Sequence, residues 1–245
     1  MGLISSNTLF HFTPTFDYLK GILKDEFIPG YSLEKLTLVG GHIFEFGIPM
    51  VSFCDIPLSN IANHTEKYGN YAIGMSKEWA REKRLNPIMY LRDDSDLSKQ
   101  IWTLGDEIFS DTSKYNSDLF YCMADILRYI KPYEGAFSRI SPKYKNEHEI
   151  FYNEREWRFV VPREDLETGQ PFLMRKQFDE LQNKNLTSNV LSFNPNDIKY
   201  LIISDETEIL DMLDSIQKVK KFQEFRNLEF LYSRIITTEQ IRSDF

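Results

Sequence analysis

Short apolar segments typical of β-strands recur along the chain, and they outnumber the helices that could join them as parallel neighbours. A doubly wound parallel sheet needs a helical crossover after each strand. The pattern therefore predicts an α+β fold whose sheet is mixed or antiparallel and is flanked by helices. The predicted strands are Thr8–Phe12, Pro49–Cys54, Asn70–Met75, Pro87–Leu91, Glu149–Val161, Ile198–Ser204 and Phe230–Ile236.

Helix signals separate several of these strands. Thr13 and Pro14 are typical of an N-cap and a first helical residue, so a helix is predicted to begin at Thr13. The segment 118–130 is apolar on nearly every side, which predicts a deeply buried helix. By contrast, the segment 92–117 is polar and rich in Asp and Ser, which predicts an insertion or mobile loop. No linker divides the chain, so residues 1–245 are predicted to form a single domain.

Composition limits the classes of function. Basic residues number 29 and acidic residues 37, for a net charge of −8, which excludes a generic nucleic-acid coat but leaves a local basic groove open. No apolar run approaches the roughly 18 residues of a membrane span, and no signal-peptide pattern is visible, so we expect a cytoplasmic protein. The two cysteines cannot form a cysteine-based zinc site unaided, and the histidines lack metal-ligand spacing, so no metal is predicted.

The stretch around Glu154, Glu156 and Arg158 is the most informative for chemistry. On a strand these three side chains would lie on one face, with Trp157 and Phe159 on the other. Two carboxylates so close together repel, and such a pair can act as a general base or stabilise a developing cation. A solvated strand face with an Arg–Glu pair would give the same pattern.

Two further stretches carry candidate binding residues. His11 lies between two phenylalanines where a strand meets the next helix, and helix N-termini bind anions well. Ser52 and Phe53 end another predicted strand, where they could hold a ribose and stack on a planar ring. A lone histidine of this kind is more often structural, and an ordinary buried strand also explains the second pattern.

Several short and uncommon sequence segments, taken in their order along the chain, resemble the AbiGi family. These are bacterial abortive-infection proteins usually labelled antitoxins. The resemblance covers most of the chain and implies a role in phage defence, with a cognate toxin or antitoxin as partner. The segments that carry the resemblance are Phe10–Thr13, Pro49–Ser59, Tyr68–Tyr71, Gly74–Trp79, Lys131–Tyr133 and Glu154–Arg158.

A second resemblance is to ADP-ribosyltransferases, particularly DarT-like toxins, in which a His strand, a Ser-Phe/Tyr strand and a Glu strand follow in this order. It implies a split sheet that binds NAD, as substrate, in the cleft between its halves. The catalytic residues would be Glu156, Glu154 and His11, with Glu156 stabilising the cation formed as nicotinamide leaves. The NAD-binding residues would be His11, Thr13, Ser52, Phe53, Tyr68, Tyr71 and Arg158.

The sequence departs from that pattern in two places. Phe12 and Thr13 stand where many transferases have a Gly-Ser or Gly-Thr pair, and 27–47 contains no clear equivalent of the arginine that grips NAD in DarT-like enzymes. The resemblance implies a nucleic acid, DNA or RNA, or a protein side chain as acceptor.

Two hypotheses therefore remain, a transferase and a non-catalytic antitoxin that binds a partner toxin. The transferase requires that His11, Ser52 and Glu156 converge on one cleft. The antitoxin requires no such convergence, but should show an exposed apolar surface on which a partner can dock.

Overall fold

Helices and strands alternate irregularly along the computed structural model, which describes residues 6–37, 41, 43–110, 117–137, 146–184, 186–225 and 228–244. The strands are β1 Thr8–Thr13, β2 Gly30–Thr37, β3 Ile43–Cys54, β4 Tyr71–Ser76, β5 Asn86–Pro87, β6 Met89–Leu91, β7 Ile130–Pro132, β8 Glu134–Phe137, β9 Asn146–Ile150, β10 Glu156–Val160, β11 Leu173–Met174, β12 Ile198–Ile203 and β13 Ile235–Thr237. The helices are α1 Phe16–Asp25, α2 Ile61–Tyr68, α3 Lys77–Glu82, α4 Asp96–Ser110, α5 Ser117–Leu127, α6 Arg175–Leu181, α7 Ile209–Lys218 and α8 Thr238–Asp244.

The main sheet has the strand order β13-β12-β4-β1-β3-β10-β5, and β2 and β11 also pair with β3. Its β12–β13 pair is parallel, whereas the other pairs described are antiparallel. This confirms the prediction of an α+β fold with flanking helices, and of the two predicted alternatives, mixed or antiparallel, the sheet is mixed. Two small sheets, β6–β7 and β8–β9, lie beside it.

Strand β3 changes its neighbour halfway along one edge. Strand β2 pairs with β3 as far as Met50, which lies opposite Gly30. Strand β1 then pairs with β3 at Cys54, which lies opposite Phe10, and no other register pair joins these two fully described strands. The edge of β3 between Met50 and Cys54 is therefore open to a cleft.

Helices cover both faces of the sheet. On one face, Leu19 of α1, Trp79 of α3 and Met212 of α7 pack with Phe53 in the largest apolar cluster. On the opposite face, α2, α4, α5 and α8 pack over the sheet through smaller clusters. Both faces are thus buried, which explains why β3 is apolar at nearly every position.

The first helix begins two residues later than predicted. Thr13 is the last residue of β1, and Thr15 is the N-cap, with its Oγ1 accepting from the Tyr18 N–H. Thr13 does not cap the helix because its backbone pairs with Tyr71 of β4. Sheet pairing has overridden a local helix signal.

The predicted strand over 149–161 is wrong as a single element. Strand β9 ends at Ile150, a 3₁₀ turn occupies Phe151–Glu154, and β10 begins at Glu156. Arg155 between them has a φ of 46°, in the left-handed region that interrupts a strand. Glu154 is therefore not on the same strand face as Glu156.

Much of the segment 92–117 also differs from its prediction, and residues 111–116 lie outside the described residues. Helix α4 occupies Asp96–Ser110, and its apolar residues, including Ile101 and Ile108, pack against α5 and β3. Helix α5 is less deeply buried than predicted, since Leu119 is 43% exposed and Ile126 49% exposed. At the other end of the chain, Phe230 lies in a 3₁₀ segment, so the last strand is shorter than predicted.

Candidate functional site

The open edge of β3 leads into a cleft of about 730 Å³, here called the β1–β3 cleft. Its walls come from the end of β1, from α1, from the segment that links α1 to β2, and from β3. His11, Thr13 and Ser52, three of the predicted NAD-binding residues, line this cleft. Their position follows from the change of partner along β3.

His11 spans the open edge. Its Nδ1 donates to the Ser52 carbonyl oxygen at 2.8 Å, because a carbonyl can only accept. Burial lowers the pKa of His11, and the bond to Ser52 offsets part of this effect. The imidazole is therefore neutral near pH 7, with Nε2 as a hydrogen-bond acceptor.

The side chains that line the β1–β3 cleft are apolar or acidic. Apolar residues, among them Ile22, Ile28 and Val51, form much of its wall. Asp17, Asp25 and Glu26 also line it, whereas the described lining includes no lysine or arginine. The diphosphate of a dinucleotide is held by cationic side chains or backbone N–H groups, and the described lining offers no cationic side chain for it.

Glu26 is held in an unusual conformation at the rim of the cleft. It ends α1 with a φ of 69° and a ψ of −173°, a region that is rare for any residue except glycine. Its backbone N–H donates to the Ile22 carbonyl oxygen at 2.9 Å, and its carboxylate pairs with Lys221 at 3.1 Å. These two contacts fix the conformation.

A buried network of charged residues, here called the Lys131 cluster, lies on the other side of β3 and β10. Lys131 donates to Glu154 Oε2 at 2.7 Å and to Glu156 Oε2 at 2.8 Å, so one ammonium bridges both carboxylates. Arg158 Nε donates to Glu156 Oε1 at 2.6 Å, and its Nη2 lies 3.2 Å from Glu34 Oε1. The cluster comprises Glu34, Tyr68, Tyr90, Lys131, Glu154, Glu156 and Arg158.

Two tyrosines and a carbonyl complete this network. The Tyr68 hydroxyl donates to Glu154 Oε1, and the Tyr90 hydroxyl accepts from the Glu156 backbone N–H at 2.8 Å. Arg158, which is 0% exposed, also donates from Nη1 to the Arg128 carbonyl oxygen at 2.8 Å. These contacts satisfy most of the buried polar atoms.

The protonation of the cluster follows from these pairs. Burial alone would raise the pKa of Glu156, but the Arg158 and Lys131 charges lower it well below its usual range. Burial alone would lower the pKa of Lys131, but Glu156 and Glu154 raise it. The pKa of Tyr68 is raised by burial and by Glu154. Glu156 is thus a carboxylate whose two oxygens are both occupied.

The remaining predicted residues are dispersed. The Phe53 side chain is 1% exposed and packs against Phe27 and Trp79, so it is not placed to stack on a bound ring. The Tyr71 ring stacks on Phe16, and its hydroxyl donates to Glu208 at 2.7 Å. Neither aromatic ring lines the β1–β3 cleft.

The structure therefore brings the predicted residues together in two groups rather than one. His11, Thr13 and Ser52 line the cleft, whereas Glu154, Glu156 and Arg158, with Tyr68, belong to the Lys131 cluster. Strand β3, which carries Ser52, and strand β10, which carries Glu156 and Arg158, are nevertheless neighbours, since Glu156 lies opposite Cys54 and Arg158 opposite Ser52.

Three members of the cluster were missed by the sequence analysis, namely Glu34, Tyr90 and Lys131. Lys131 lies in Lys131–Tyr133, one of the segments that resemble the AbiGi family, and this resemblance could have pointed to it. Glu34 and Tyr90 lie on separate strands and carry no local signal.

Metal-binding clusters and membrane-spanning helices are both absent from the described residues. Those residues include no group of three or more His, Cys, Asp or Glu side chains that could hold a metal ion. No helix among them has both the length and the apolar character to cross a bilayer.

Comparisons with known proteins identify a family. The family model described as "Putative abortive phage resistance protein AbiGi, antitoxin" matches residues 25–204, well over half of the chain. A curated relative, "Abortive phage resistance protein AbiGi" from Lactococcus lactis subsp. cremoris, is 26% identical over 249 residues, covering 89% of this chain and 99% of that protein. No solved structure matches the chain significantly. The range of the family model includes the whole Lys131 cluster, whereas His11 precedes it.

Proposed function

Since the chain belongs to the AbiGi family of abortive phage resistance proteins, we propose that it acts as an antitoxin that binds a partner toxin through the β1–β3 cleft. The observation that carries this proposal is the lining of the cleft. It combines apolar residues with three carboxylates and, among its described residues, no basic side chain. Such a lining favours a segment of a protein that presents apolar residues together with lysine or arginine.

The charge of the whole chain supports the same kind of partner. A net charge of −8 attracts a basic protein over long range and repels nucleic acid. At the rim, the Asp17 side chain is 92% exposed and that of Asp25 is 54% exposed, so both can meet an approaching partner. Both also have a lysine neighbour, Lys20 and Lys24 respectively, which a partner's basic residues would have to displace.

The state of Glu156 also favours binding over catalysis. A catalytic carboxylate must reach its substrate, yet both oxygens of Glu156 accept from buried cations and the residue does not line the cleft. A structural role in the Lys131 cluster accounts for these contacts.

The experiment co-expresses the chain with each gene that flanks its own and counts surviving cells. We expect one flanking product to be toxic alone and the chain to restore growth by forming a complex that size-exclusion chromatography detects. The double variant Asp17→Lys/Asp25→Lys should lose both effects, whereas the control Asp96→Lys/Asp214→Lys, at exposed acids outside the cleft lining, should retain them. Rescue that is equal in both variants would refute the cleft as the docking site.

A second candidate function is NAD-dependent ADP-ribosyl transfer, to a nucleic-acid or protein acceptor. It is favoured by one observation: the strands that carry His11, Ser52 and Glu156 are consecutive in the sheet. The test is nicotinamide release from NAD by the purified chain, with and without RNA or DNA. Nicotinamide release that disappears in a folded Glu156→Gln variant would establish the transferase and displace the antitoxin proposal. No nicotinamide release would exclude the transferase.

A further inference from the structure

A second cavity, of about 430 Å³, opens onto the Lys131 cluster from between β2, β7 and β8. Its volume is within the range of small-molecule sites. Three members of the cluster, Glu34, Tyr68 and Lys131, line it. Neither the family match nor the proposed docking cleft accounts for this space, here called the β2–β7 cavity.

Glu34 is the main reason to assign a ligand to this cavity. Its side chain is 8% exposed, and Arg158 Nη2 lies 3.2 Å from Glu34 Oε1. That ion pair lacks hydrogen-bond geometry, because Nη2 is a buried atom without a hydrogen-bond partner in the described part of the chain. The Glu34 oxygens have no hydrogen bond either, but they are not sealed from solvent, so a ligand in the cavity can reach them. A largely buried carboxylate whose acceptors are unused requires an explanation.

Lys131 places a cation in the same cavity. Its ammonium has three N–H donors, of which two go to Glu154 and Glu156. Burial lowers the pKa of this ammonium, but the charges of Glu156, Glu154 and Glu34 raise it by more, so the group is protonated at pH 7. The third donor is left for an acceptor on a ligand.

These two opposite charges define the kind of ligand. A cationic group that approached Glu34 would be repelled by Lys131, and an anionic group that approached Lys131 would be repelled by Glu34. The other charged residues of the lining are Lys35, Asp93 and Glu134, which are all exposed. Solvent and salt screen those exposed charges, so the buried pair dominates. The cavity therefore favours a neutral ligand that carries N–H donors directly beside an acceptor.

The rest of the lining favours a flat ring. The centroid of the Phe151 ring lies 5.0 Å from Lys131 Nζ, so an aromatic face adjoins the polar groups and can support a planar ligand. The apolar residues of the lining are Leu33, Ile43, Pro132, Ala136 and Phe151. A neutral heteroaromatic base meets both requirements.

Among the common nucleobases, guanine has the edge that matches these groups. Its N1–H and N2–H are adjacent donors that one carboxylate can accept together, and its O6 is an acceptor beside them. We propose that the β2–β7 cavity binds the guanine base of a nucleoside, with N1–H and N2–H donating to Glu34 and O6 accepting from Lys131.

The test is isothermal titration of the unaltered full chain with guanosine, inosine and adenosine. We expect guanosine to bind with a stoichiometry of one. Inosine lacks the N2 amine and should bind about tenfold more weakly, whereas adenosine, which presents an acceptor at N1, should bind more weakly still. The comparison requires neither a variant nor a toxin, so its outcome is independent of the antitoxin proposal.

Variants of Glu34 then locate the site. Glu34→Gln keeps the shape of the side chain but replaces one acceptor by a donor, and should weaken guanosine binding by at least about tenfold. Glu34→Asp guards against misfolding, because it keeps a negative charge beside Arg158 while withdrawing the carboxylate from the base, and should also weaken binding. The matched control is Glu167→Gln, at a side chain that is 77% exposed and does not line the cavity.

Three results would overturn the proposal. The first is no binding of guanosine at millimolar concentration. The second is inosine or adenosine binding as tightly as guanosine. The third is guanosine binding by both Glu34 variants as tight as that by Glu167→Gln.

Discussion

Replacing Lys131 with methionine tests whether the buried charge cluster stabilises the fold. In the protein, this ammonium donates to Glu154 at 2.7 Å and to Glu156 at 2.8 Å, and its side chain is 14% exposed. Methionine has a similar volume and no charge, so the variant loses the bridge without leaving a large cavity. Two nearly buried carboxylates then face each other, with Arg158 as the remaining cation on Glu156.

The expected loss follows from burial. Removing one partner of a buried ion pair costs about 3–5 kcal/mol, because the remaining charge is left uncompensated. For a chain of this size, about 2–4 °C of melting temperature is lost per kcal/mol, so the midpoint should fall by roughly 6–20 °C. The matched control is Lys184→Met, which breaks an exposed pair with Glu167 and should leave the midpoint unchanged within error.

The pH dependence of this loss identifies its cause. In the protein, the folded-state pKa of Glu156 is lowered, so this group contributes stability above the unfolded pKa of about 4.3 that is lost on further acidification. In Lys131→Met, repulsion raises the pKa of one carboxylate, which adds stability at low pH that is lost as pH rises. The deficit should therefore be larger at pH 7 than at pH 5.

Thermal unfolding of both variants at the two pH values measures these differences in melting midpoint. A Lys131→Met midpoint that equals that of Lys184→Met would refute the argument that the cluster is a structural support. A deficit that does not change with pH would show that lost packing, rather than charge, is responsible.

Two further predictions concern packing. Gly69 has a φ of 112°, and a Cβ there would meet the Thr13 carbonyl oxygen at 2.5 Å, so Gly69→Ala should lower the free energy of unfolding by more than 1 kcal/mol. Gly21→Ala, in open space within α1, should instead raise the free energy of unfolding by about 0.5–1 kcal/mol. Denaturant titration measures both variants, and a change of the free energy of unfolding in the same direction in both would contradict this reasoning. Phe27→Ala should cost about 3–5 kcal/mol because this ring is 2% exposed, whereas Leu210→Ala, at a residue 78% exposed, should be nearly neutral in calorimetry.

The fold class could be predicted because hydrophobic pattern and local chemistry specify it directly. Apolar runs marked the positions of β1, β3, β4 and β12. These signals depend on residues close together in the chain. The breaks and ends of elements were predicted less well, as at Arg155, where a left-handed residue divides a segment that reads as one strand.

The candidate site was predicted only in part, for a different physical reason. His11 and Ser52 were correctly associated because they lie on strands that meet. Strand alternation grouped Glu156 with Arg158 correctly, but Glu154 reaches the same cluster from a 3₁₀ turn through Lys131. No period in the sequence encodes a contact between residues 23 and 25 positions apart.

The sequence by itself thus determined that the chain folds as α+β with a mixed or antiparallel sheet, and which short segments resemble AbiGi proteins. The tertiary structure alone decided that the two groups of candidate residues separate. The cause is that β3 exchanges β2 for β1 along one edge and opens a cleft there, while Lys131 draws both glutamates into a buried network. Strand pairing and ion pairing over long chain distances depend on the assembled sheet, so local sequence patterns cannot specify them.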